Sequence, residues 1–133
     1  VLRNVLPSTV EVRVQAVDAL VPTVRAVAAD LVGRADYDLD SISDLRMAVD
    51  EACATLVAVA AAGAFLDCRF VIDRHNIEVT VTVPAGRAVR SVDTNGFGWR
   101  VLGTLVDDVS TYRDDATRPA QLAIRFVKRA RVR

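Results

Sequence analysis

The sequence predicts an α+β fold: a two-layer sandwich in which a mixed, mostly antiparallel sheet is covered on one face by about three helices. Three observations predict it. Near the start, Val10, Val12 and Val14 alternate with Glu11 and Arg13, the period-two pattern of a half-buried strand. Ile42, Leu45, Val49, Ala52, Leu56 and Val59 then step by three and four, as the buried stripe of a long helix does. Finally, Phe65–Asp73 and Ile77–Val83 are two β-rich runs parted by three residues, the signature of an antiparallel hairpin. At 133 residues the chain suits one domain, 1–133, with its own core.

The remaining elements follow in order. After the first strand, Pro22 stands where an opening helical turn tolerates it, and Val24, Val27, Ala28 and Leu31 repeat at helical spacing until Gly33 offers a stop. Asp40 and Ser41 are placed to cap the second helix, with Asp44 near the positive end of its dipole, and the alanine-rich stretch is expected to end at Gly63. His75, the only histidine, falls in the hairpin turn, where no serine, cysteine or acid is arranged to use it. Pro84 to Asn95 reads as a loop longer than most connections, and such loops are often functional. It ends in the sequence NGFGW. Val101, Leu102, Leu105 and Val106 support a third helix, followed by a strand at Val109–Arg113, a turn at Asp114–Pro119 and a closing strand at Gln121–Val127.

Composition narrows the function. Seventeen basic side chains balance seventeen acidic ones, so the chain lacks the overall positive charge of a nucleic-acid binder. The local excess at Lys128, Arg129, Arg131 and Arg133 is expected to be a solvated tail. Cys53 and Cys68 have neither a CxxC partner nor a nearby histidine, so buried free thiols are expected rather than a disulfide or a zinc site. No apolar run approaches a membrane span and no signal-peptide pattern is visible, which favours a reducing cytoplasm. A chain beginning at Val1 is expected to lack some N-terminal residues.

The stretch VDEACATLV places Glu51 beside the apolar face of the second helix, on one stripe with Asp44, Ala48 and Thr55. Asp50 points away from that stripe, so Asp50 and Glu51 do not form a carboxylate pair. Small neighbours leave space beside Glu51. Elsewhere, Gly96 and Gly98 lead into the third helix, and a glycine-rich turn at a helix N-terminus presents backbone N–H groups to phosphate oxygens.

In order and spacing, DLRMAVDEACATLV, the hairpin, the loop and GFGWRVLGTLVDDV resemble the small anti-sigma-factor serine kinases of the RsbW and SpoIIAB kind, the actinobacterial members above all. These share the ATPase fold of gyrase and the histidine kinases. The resemblance implies that Glu51 corresponds to the general base acting on a protein serine. It puts Thr55 at the position of an asparagine that holds Mg²⁺ on ATP, and Gly86, Gly96 and Gly98 around the nucleotide. Two positions depart from the pattern. Thr55 offers a shorter, weaker metal ligand than asparagine. Pro84 or Ala85 stands where an aspartate would select adenine, so the acid is absent.

The resemblance therefore implies an anti-sigma factor in stress-responsive transcription. It would sequester an alternative sigma factor and be antagonised by a STAS-type anti-anti-sigma protein, with homodimerisation a family expectation. ATP and Mg²⁺ are the cofactors it implies, at a site the two departures are expected to weaken. The alternative is an active Mg-ATP-dependent kinase phosphorylating a serine of the antagonist. A sensor-kinase ATPase domain is a third reading, disfavoured by the lack of a phosphoacceptor helix.

Overall fold

The computed structural model describes residues 7–131, so the expectations concerning Val1 and Arg133 lie outside the described residues. Five strands form one sheet: β1 (Ser8–Gln15), β2 (Phe65–Ile72), β3 (Asn76–Pro84), β4 (Asp108–Asp114) and β5 (Gln121–Arg129), in the order β1-β2-β3-β5-β4. Every pairing is antiparallel. Three helices accompany them: α1 (Val21–Arg34), α2 (Leu39–Val59) and α3 (Phe97–Leu105). The expected α+β sandwich is what forms, with an all-antiparallel rather than mixed sheet.

Alternation along the strands builds the core. Phe70, Val79 and Phe126 align in adjacent strands with Val10 and Val109 on the two edges. The three central residues are fully buried beneath the helices, with Leu45, Val49, Ala52 and Leu56 of α2 packed into the same core. The other sheet face is polar and ion-paired: Glu11 with Arg69, Arg13 with Asp67, and Arg125 with Glu78 and Asp108.

Helix ends depart from the sequence reading in instructive ways. Gly33 does not stop α1; it lies inside the helix, and Asp36 takes the left-handed conformation instead (φ 62°). The Tyr37 N–H then donates to the Val32 carbonyl and the Asp36 N–H to that of Gly33, a Schellman closure that drops Tyr37 into the core. The cap of α2 is Asp38, not Asp40 or Ser41. Its carboxylate accepts the Ser41 N–H at 2.9 Å, which moves the start of the helix to Leu39 and leaves Asp40 to complement the dipole in the first turn. The Ser41 hydroxyl and backbone N–H facing it hold the Asp38 carboxyl below its ordinary range. At the other end α2 closes at Val59, because Ala60 and Ala61 turn aside to pair with Ala85 and Pro84. Gly63 serves the turn beyond (φ 72°).

His75 sits in the β2–β3 turn as expected, where the Asp73 carboxylate accepts the His75 and Asn76 N–H groups.

Arg129 and Arg131 are exposed, as the expected solvated tail requires, but Lys128 is not part of it. It belongs to β5 and is buried, and its Nζ donates to the Leu105 carbonyl at 3.0 Å and the Asp44 carboxylate at 3.2 Å. Because β5 continues through Arg129, alternation turns Lys128 inward, where it satisfies the last carbonyl of α3. Lys128→Met keeps the stem but removes the donor, leaving the Leu105 carbonyl without it. We expect a loss of about 1–3 kcal/mol in urea unfolding; an unchanged midpoint would contradict the role.

Candidate functional site

Helix α2 is the spine of the candidate site. Glu51 and Thr55 are half-buried on it, one turn apart, and Glu51 lies against Gly98 of α3. Asp50 faces α1 instead, where both its carboxylate oxygens accept from the one Arg25 Nη1, at 2.9 and 3.2 Å. That division follows from the ~100° per residue of a helix, and it keeps Asp50 and Glu51 apart.

Gly98 and Gly86 meet α2 at different heights, and Gly96 meets the preceding loop. Gly98, in the first turn of α3, lies directly against Glu51: a Cβ there would collide with Glu51 Oε1 and stand 3.3 Å from its Cδ. Gly96 is the N-cap of α3, and a Cβ on it would meet Asp93 Oδ2 at 3.1 Å. The other Asp93 oxygen accepts the Asn95 N–H at 2.9 Å. Gly86 packs at the far end of α2, its N–H donating to the Val59 carbonyl at 2.8 Å, where a Cβ would stand 3.0 Å from that oxygen. Eight residues of helix separate Glu51 from Val59, roughly 12 Å. Glu51 and Gly98 therefore meet, Thr55 lies one turn on, and Gly86 belongs to a separate contact.

A cleft of about 300 Å³ opens beside Gly86, lined among others by Ala85, Val89, Arg113 and Ala120. It is at the small end for a ligand site. Arg113 is committed there: its Nη1 donates to the Val89 and Arg90 carbonyls and its Nε to Asp115, tying the 85–96 segment to β4. A larger concavity of about 540 Å³ lies on the polar sheet face, around Arg13, Asp67, Arg69 and Thr80, away from Glu51.

The histidine kinase-like ATPase domain family matches residues 14–128, from within β1 to the end region of β5. The chain belongs to this family. Within the ATPase family it is similar to the anti-sigma-F factor RsbW of Mycobacterium tuberculosis, in strains CDC 1551 and H37Rv. Identity is 42% over 80 residues, covering 59% of this chain and 46% of that protein. The match thus spans about half the length of those relatives. It is also similar to the serine-protein kinase RsbW of Halalkalibacterium halodurans, 25% identical over 126 residues, covering 81% of this chain and 78% of that one.

Nucleotide and Mg²⁺ chemistry goes with an ATPase family, and two positions here depart from the donors expected for it. At the start of α3 the carboxylate of Glu51 lies beside Gly98 and that of Asp93 beside Gly96, and no side chain caps the helix. Thr55 brings one hydroxyl where an amide is expected, and Pro84 and Ala85 bring no acid.

Asp93 and Arg113 were missed in the sequence. The D-T-N-G run is a turn signal that could have pointed to Asp93; nothing local marks the role of Arg113 at the 85–96 segment, since the carbonyls it binds there lie 23 and 24 residues away.

Proposed function

We propose that the chain works as a protein-binding anti-sigma module of the RsbW type, with a degenerate nucleotide site. It holds an alternative sigma factor and yields it to a STAS-type antagonist that competes for the same protein. Such a switch needs two mutually exclusive partners with different affinities; chemistry is optional. The observation that carries this reading is Thr55 on α2, whose single hydroxyl stands where the family's asparagine would hold the metal. The missing adenine-selecting acid points the same way. Losing one hydrogen bond to a charged group costs about 1.5–3 kcal/mol, or roughly 10- to 150-fold in affinity.

Calorimetry tests it. With Mg-ATP and Mg-ADP we expect no saturable binding in the micromolar range, while titration with the host's alternative sigma factors gives one tight complex that a STAS-type protein dissolves. Micromolar, chelator-sensitive nucleotide binding would overturn the reading.

A kinase is the second reading, favoured by the half-buried position of Glu51 on α2 and by the kinase name of the Halalkalibacterium relative. Glu51 would be the base, Thr55 a metal contact, and Gly86, Gly96 and Gly98 nucleotide neighbours. Transfer of labelled phosphate to the antagonist by the wild type, lost in Glu51→Ala, would establish it.

A further inference from the structure

The connection from β3 to α3 bends at residues 86–89, where the Val89 N–H donates to the Gly86 carbonyl at 3.1 Å. The third residue of that turn is Ala88, at φ 65°. Turns with positive φ at this position favour glycine. A Cβ there crowds the carbonyl that follows, so alanine stores strain. The two carbonyls directly after the strained residue, those of Val89 and Arg90, are the ones that Arg113 Nη1 holds, at 2.9 and 3.1 Å. Arg113 reaches them from β4 with its side chain mostly buried and its Nε on the Asp115 carboxylate at 2.7 Å. Val89 also packs against the core and Val92 is buried in it. One guanidinium and two valines thus hold down a segment whose own backbone resists its shape.

We propose that residues 86–92 form a spring-loaded strap, with Ala88 as the spring and Arg113 as the latch, so that release of the guanidinium lets the strap lift. The strap leads on to Gly96, the N-cap of α3, and walls the cleft beside Gly86. Its lifting bares the Val89 and Val92 side chains and slackens the chain that enters α3. The device goes beyond the protein-binding reading: it works alike whether the chain holds a protein or a nucleotide.

Amide hydrogen exchange followed by NMR tests it on the full chain. The Val89 N–H reports on the strap, and the N–H groups of Val79 and Val81, in the middle of β3, report on global unfolding. Arg113→Met keeps the stem and removes the donors. It is expected to speed exchange at Val89 at least about tenfold, the lower bound for losing a hydrogen bond to a charged group, with Val79 and Val81 unchanged. Ala88→Gly acts in the opposite sense. Relief of the left-handed strain is expected to slow Val89 exchange about fivefold or more, and to bring the double variant Ala88→Gly/Arg113→Met back toward the wild type. Val89 exchange that Arg113→Met leaves unchanged, or speeds only together with Val79 and Val81, would overturn the latch. Equal or faster exchange in Ala88→Gly would overturn the spring. A wild-type Val89 amide exchanging at the rate of a free peptide would overturn both.

Discussion

Replacing Phe126 with alanine is expected to remove about 3–5 kcal/mol of folding stability, the usual cost of emptying a fully buried aromatic site. Phe126 is on β5, the strand between β3 and β4, with Val79 and Val109 beside it, and none of its surface meets solvent. A domain of this size has about 5–15 kcal/mol in total, so the loss is a large part of it and should lower the melting temperature by more than about 10 °C. Thr80→Ala is the control. It lies on the open face of β3, half exposed to water, and should change stability by no more than about 0.5 kcal/mol. Equal losses for the two variants would mean that the helices do not cover the sheet face described here.

The second large effect is chemical. Burial, with a smaller contribution from the nearby Asp50 carboxylate, pushes the Cys53 thiol up to about 12. Burial likewise lifts Cys68 well above its ordinary value, and the neighbouring Cys53 adds to this. The thiolate is the reactive form. At pH 8 a thiol of ordinary pKa is roughly a quarter ionised, whereas one near 12 is ionised to about one part in ten thousand, a difference on the order of a thousandfold. A thiol-disulfide reagent at pH 8 should therefore label neither cysteine in the native protein within minutes, and both within seconds in 6 M guanidinium, where "6 M" is about the concentration that unfolds most domains. Rapid labelling of the native protein would contradict the burial of these side chains.

Much of the architecture was legible in the sequence because burial writes itself as periodicity. The alternation of β1, the hairpin and the stripe of α2 all follow from one apolar side facing one core. Helix boundaries were less legible, since they depend on backbone conformations that several residues can adopt. Gly33 looked like the stop of α1, but Asp36 accepts the left-handed conformation and Tyr37 gains burial by following it. Lys128 was misread because charge was taken for exposure; strand alternation had already fixed its direction, and only the carbonyl at the end of α3 supplies the reason. In the candidate site, the meeting of Glu51 with Gly98 joins positions 47 residues apart along the chain, which no local pattern encodes. The absence of an asparagine at Thr55 and of an acid at Pro84 or Ala85 was visible at once, whereas the approach of Asp93 to Gly96 was not.

The bond from Lys128 to the Leu105 carbonyl also fixes the mechanics of α3. Moored by an ammonium to both β5 and α2 at its trailing end, the nine-residue rod meets α2 at its leading end through the bare backbone of Gly98 against Glu51. One cation thus joins three elements, so that its loss would slacken the grip of sheet and long helix on α3 together.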